Sequence, residues 1–226
     1  MQKTILITLI GVGVLGLAAY GLSRPKIQTV SPTSSEKVSE SKTTESIIVT
    51  EPTVLADGEY QVNSETSRVA WYAAKVTASH TGTVAVKSGS LQINDGLLTN
   101  ASFILNMDSI SSDQNLDGLI KHLKSADFFD VAVYPEAKLT INSSQPGSSS
   151  DEYVLTGDLT IKDITAPVIF TAKITAANNN LDAKASFVID RTNWNIKFLS
   201  GNFFKDLGDK AIADEIKFDI TLNASK

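Results

Sequence analysis

From about Tyr60 to Ala224 the sequence predicts an all-β fold of short antiparallel strands, a barrel or a sandwich. Two observations carry that prediction. Apolar and polar residues alternate strictly through segment after segment, and a period of two marks strands that bury one face and wet the other. The breaks carry turn chemistry: "NDG" at 94–96, "QPGSSSD" at 145–151 and "NNN" at 178–180. A parallel sheet buried on both faces would give continuous apolar runs instead, so the alternation favours antiparallel pairing.

The chain opens with "MQKTILITLIGVGVLGLAAYGLSRPK", in which an uncharged apolar run from about Ile5 to Leu22 is closed by Arg24 and Lys26. A run of roughly 18 residues is near the minimum that crosses a bilayer. A cleavable signal peptide would have a shorter run and a small-x-small cleavage site, which "LAAYGLS" matches poorly. Residues 1–23 are therefore expected to be a signal anchor, a transmembrane helix. Positive charges on both flanks leave its orientation open.

Residues 24–56 are dominated by Ser, Thr, Glu, Lys and Pro and lack aromatics. Such a segment buries too little apolar surface to offset the entropy of ordering, and it is expected to be a disordered linker. The globular domain is expected over 57–226.

Within that domain "FILNM" aligns Phe103, Leu105 and Met107, and "AKLTI" aligns Ala137, Leu139 and Ile141. "YVLTGDLTI" puts Tyr153, Leu155, Leu159 and Ile161 on one face. "VIFTAKI" does so for Val168, Phe170, Ala172 and Ile174, and "LDAKASFVI" for Leu181, Ala183, Ala185, Phe187 and Ile189. "IKFDITL" ends the series with Ile216, Phe218, Ile220 and Leu222. In "LTIKDITAPV", Asp163 is a turn former, and Pro167 cannot donate to a ladder and belongs at a strand start; the stretch reads as a hairpin. One helix interrupts the strands. In "SSDQNLDGLIKHLKS", Leu116, Leu119, Ile120 and Leu123 follow helical spacing, with Ser112 or Asp113 available as cap, acids early and Lys121 and Lys124 late. A second short helix is expected in "LGDKAIADE".

Composition excludes several functions. The net charge of -5 offers nucleic acid no general attraction. The absence of cysteine removes disulfides, thiolate metal sites and cysteine nucleophiles. Two histidines and no DxDxDG-type loop give little material for a metal centre, and no cofactor is expected.

Several stretches in order, "FILNMDSI", "LDGLIKHLKSADFFDVAVYPEAKLTI", "TGDLTIKDITAPVIF" and "FVIDRTNWNIKF…FFKDLGDKAIADEIKFDITLNA", resemble the YceI-like family of bacterial envelope proteins. The resemblance covers about residues 59–224. It implies a lipocalin-like, extended antiparallel barrel of about eight strands around an apolar tunnel, in a periplasmic or exported protein that binds polyisoprenoid chains or quinone tails. It departs from the family after His80, where "TGTVAVKSG" has Val84 and Val86 in place of a phenylalanine. A barrel of this size holds one small elongated ligand.

On that basis the expected apolar lining is Trp71, Phe103, Leu105, Phe128, Phe129, Phe170, Ala183, Ala185, Phe187 and Phe218, which are either ligand contacts or a packed core. His80 and Arg191 are candidate headgroup contacts; the bland uses are a strand-end histidine bonded to backbone and a surface salt bridge. His122, Asp127 and Asp130 in "HLKSADFFDV" are the material for acid/base catalysis. The spacing favours instead a histidine at a helix C-terminus, with Asp127 capping a turn around Phe128 and Phe129. Phe203 and Phe204 echo that pair and are expected to close or line a barrel end.

The leading expectation is a membrane-tethered, extracytoplasmic barrel that sequesters an apolar lipid without chemistry, with a homodimer as one assembly it allows. The alternatives are a filled barrel that serves as a structural or protein-interaction module, and an enzyme built on His122, Asp127 and Asp130.

Overall fold

The computed structural model describes residues 55–226, so the expected transmembrane helix and all but the last residues of the expected linker lie outside the described residues. The strands are β1 (Gly58–Val62), β2 (Arg68–Lys75), β3 (Ala78–Asn94), β4 (Leu97–Asn106), β5 (Glu136–Pro146), β6 (Glu152–Ile161), β7 (Ile164–Ala177), β8 (Asn180–Asp190) and β9 (Ile212–Ser225). One helix, α1 (Asp117–Leu123), lies between β4 and β5.

The strands form one antiparallel sheet in the order β1-β3-β2-β9-β8-β7-β6-β5-β4, and a β3–β4 pairing closes it on itself. Both β1 and β2 pair with β3 and with β9, so they are two halves of one stave broken at residues 63–67. The result is a closed barrel of eight staves, as the resemblance implied, and closure leaves no open sheet edge along most of the wall.

The hairpins follow the turn residues. Asp95 and Gly96, Lys162 and Asp163, and Asn178 and Asn179 are the central pairs of two-residue loops, and all six have positive φ. That is the turn whose twist matches the flanking strands, and Gly, Asn and Asp tolerate it best. The β5–β6 loop is held differently. Ser148 donates to Glu152 and Ser149 to Asp151, and these bonds hold both carboxyls below their ordinary values. Pro167 lies four residues into β7, where no ladder needs its missing N–H, because β7–β8 pairing begins only at Ala172↔Ala185.

Three local expectations change. Helix α1 begins at Asp117 with Leu116 as an uncapped N-cap. Residues 111 and 113 are tied to β3 by Ser111 N–H to Thr83 O and Asp113 N–H to Thr81 O, which holds them out of a helix. Ser112 instead accepts the Gln114 N–H, and Asn115, with φ of 52°, breaks the chain direction just before the helix. The second expected helix is a single 3-10 turn at Gly208–Lys210, and β9 takes up Ile212 onward. The ordered barrel also starts before residue 57, since Leu55 is fully buried and Tyr60 donates its hydroxyl to Ala56 O.

The alternating residues named from the sequence all face inward. At the end where the chain enters, Leu55, Tyr60, Ile93, Leu181 and Ala224 form a filled floor. At the other end the long connections 107–135 and 191–211 fold over the barrel as a roof.

Candidate functional site

Between floor and roof runs one apolar cavity, to which all eight staves contribute. The centre of a water molecule can range over about 150 Å³ of it. Ile212 and Leu222 of β9 both line the cavity, and ten residues rising about 3.3 Å each, tilted about 40° to the axis, span roughly 25 Å. Spread evenly over that length, the volume corresponds to a bore of about 2.8 Å radius once the water radius of about 1.4 Å is added. That is close to the girth of a single hydrocarbon chain.

All ten residues expected as lining do line it. Phe170 and Phe187 stack across the β7–β8 boundary with centroids 4.4 Å apart and planes 16° from parallel, and Phe218 continues the row at 5.6 Å from Phe187. Ala183 and Ala185 leave the bore open beside this row. Alternation was the signal that found those on the strands. It missed Val69, Val84 and Val86, which lie in stretches too rich in Ala, Thr and Gly for a clean period.

The roof explains "HLKSADFFDV". Ser125 O accepts the N–H groups of Phe128 and Asp130, Asp130 takes a φ of 48°, and the tight turn drives Phe128 into the core while Phe129 stays half-buried. His122 sits edge-on to Phe128 at 4.9 Å and to Phe198 at 4.8 Å. Its Nε2 lies 2.9 Å from Asp127 Oδ2, so Asp127 pairs with the imidazole instead of capping backbone. Asp130 makes no side-chain hydrogen bond or ion pair to either among the described residues. The three groups therefore do not assemble as an acid/base unit: one partly exposed pair stands on the outside of the roof.

Arg191 is not at the surface: it lines the cavity, and its guanidinium is engaged by protein groups. Its side chain is 2% exposed. It donates to the carbonyls of Ala213 (3.0 Å), Ile196 (2.8 Å) and Ile212 (3.1 Å), and lies 3.1 Å from Asp214 Oδ1. Burial pushes its pKa down, against the opposing charges of Asp214 and Asp190. The other oxygen of Asp214 takes Ser200 Oγ and Asn202 Nδ2, both at 2.8 Å. This network pins the 195–202 loop to β9, and Trp194 plugs the roof with its indole N–H on Leu159 O at 2.9 Å. Phe203 and Phe204 follow the pinned residues and stand half-exposed outside the cavity, Phe203 under the Lys197 ammonium at 4.6 Å. The expectation that they line the barrel end is corrected: they sit on the roof connection and do not line the cavity.

His80 lies on β3, opposite Ala73 and next to the β2–β3 turn. Its Nδ1 meets Gln114 Oε1 at 2.7 Å, and Gln114 in turn donates to Ser79 O. It does not line the cavity. Among the described residues no group of three or more His, Asp or Glu side chains converges on a metal-sized site, and no helix is long and apolar enough to cross a membrane.

A family model described as YceI-like domain matches residues 60–224. A UPF0312 protein of Photorhabdus laumondii is 37% identical over 103 residues, 45% of this chain and 51% of that protein. Protein YceI of Escherichia coli is 41% identical over 68 residues, 30% of this chain and 35% of that one. The chain thus spans about half, or less, of the length of these curated relatives. Among solved structures, BcnA of Burkholderia cenocepacia superposes with a TM-score of 0.60 at 20% identity, covering 73% of this chain and 99% of that one. A polyisoprenoid binding domain from Saccharophagus degradans does so with 0.58 at 10% identity, covering 74% and 97%. At such identities the likeness is one of fold.

Proposed function

The chain belongs to the YceI-like domain family, and from that premise we propose that its barrel binds or carries a long apolar lipid of the polyisoprenoid or isoprenoid-quinone type. The observation that carries this reading is the cavity: an apolar space lined by all eight staves, with a mean width about that of a single chain, in a barrel whose floor is filled. Each methylene moved from water into such a bore contributes about 0.8 kcal/mol, so a chain along its length is held by burial alone. The mechanism is sequestration and needs no chemical step.

Residues 1–23 would anchor the barrel to a membrane through a linker ending before Leu55, with the domain facing the periplasm or the cell exterior. The test is a titration of the full chain with a fluorescent farnesyl probe. Saturable uptake at one probe per barrel, displaced by unlabelled polyprenol and not by a short-chain alcohol, is the expected result. Failure to take up the probe at any concentration below its own aggregation would overturn the reading.

A further inference from the structure

With the floor filled and the other end covered by the 107–135 and 191–211 connections, the wall is a further route for an apolar chain. Most of the wall is laced by ladder hydrogen bonds, and the stretches that are not differ in what they show to solvent. Beside the break at residues 63–67 stand Ser64, Glu65, Lys87 and Ser88, and beyond the Ala101↔Ile141 pair stand Thr99, Asn100 and Asn142, all exposed and polar. The boundary between β7 and β8 is different. Its pairing runs from Ala177↔Asn180 only as far as Ala172↔Ala185, so residues 167–171 and 186–190 face each other unpaired. Pro167 has no N–H to offer there.

Extending the register by two puts Phe170 opposite Phe187, and these are the stacked rings on the cavity wall. The next outward pair is Ile169 and Val188, 70% and 54% exposed, among the most exposed large apolar side chains of the barrel. Cavity, aromatic pair and outer apolar lips thus form one apolar path through the wall. Opening it requires rotation of two rings and breaks no ladder bond between these strands.

We propose that this seam is a lateral portal by which the apolar chain enters and leaves, with Phe170 and Phe187 as its gate and Ile169 and Val188 as its lips. The proposal rests on the lipid-binding reading above. The chain has no cysteine, so an Ile169→Cys/Val188→Cys pair can be joined selectively by a short bifunctional thiol reagent. A Lys173→Cys/Lys184→Cys pair, opposite each other in the laced part of the same strands, is the control. Uptake of the farnesyl probe from phosphatidylcholine vesicles, and its release into empty ones, are followed by fluorescence. Joining the seam should slow both at least tenfold, and joining the control pair should leave both unchanged. Unchanged rates with the seam joined would overturn the portal while leaving lipid binding intact. A native chain that takes up no probe would overturn both. Should the seam variant not fold, Phe187→Leu removes the stack while keeping the site apolar. It should speed exchange severalfold, and an unchanged rate overturns the portal.

Discussion

Ala185→Phe separates a tunnel from a packed core. Ala185 lines the cavity midway along β8, opposite Ala172 on β7 and Ile220 on β9, with Phe187 two residues on. In a bore of about 2.8 Å radius a phenyl ring leaves no passage beside it. It displaces at least its own length of ligand, about four methylenes, and at about 0.8 kcal/mol each that is ~3 kcal/mol, or more than a hundredfold in Kd. The same ring placed in empty apolar space buries surface without compressing neighbours, so the melting temperature should hold or rise. In a filled barrel the insertion would instead cost about 1–3 kcal/mol. Probe titration and differential scanning calorimetry on one preparation read both quantities. A variant that binds the probe as tightly as the parent, or that loses stability as an overpacked core does, would refute the tunnel.

Two further substitutions test the supports of the site. Arg191→Lys keeps a charge but loses the fork that serves three carbonyls and Asp214, so about 3 kcal/mol of stability should be lost in urea unfolding. Unchanged stability with weakened probe binding would restore Arg191 as a ligand contact. Gly82→Ala would place a Cβ 1.8 Å from Ser111 O and 2.7 Å from the Trp71 ring, a clash with backbone that cannot relax by a rotamer change. A loss of about 3 kcal/mol at unchanged m-value is expected, and a neutral result would mean that the 111–113 segment is not held against β3.

The barrel was legible because alternation is a local signal. From β4 to β9 the period of two named the inward residues without any knowledge of neighbours, and Asn-, Asp- and Gly-bearing breaks located the hairpins. The stave split into β1 and β2 was not legible, because what makes them one stave is shared partners on β3 and β9 far along the chain. The burial of Arg191 was hidden for the same kind of reason. An arginine after a strand reads as exposed, and only the fold brings the carbonyls of Ile196, Ile212 and Ala213 around it. The two Phe–Phe pairs look alike in sequence and part in space. Phe128 is pulled inward by the Ser125 turn, whereas Phe203 and Phe204 follow a loop anchored by polar contacts to Asp214 and stay outside. His122 and Asp127, the pair that looked most like chemistry, meet at hydrogen-bond distance but on the roof's outer face, where His122 packs edge-on against Phe128 and Phe198.

Native mass spectrometry of the full chain after incubation with polyprenol-bearing vesicles asks most directly whether the barrel is a lipid container. One polyprenol adduct per chain, absent from Ala185→Phe and released by organic extraction, is the predicted spectrum. A bare chain at every polyprenol loading, or adducts that Ala185→Phe carries equally well, would contradict it.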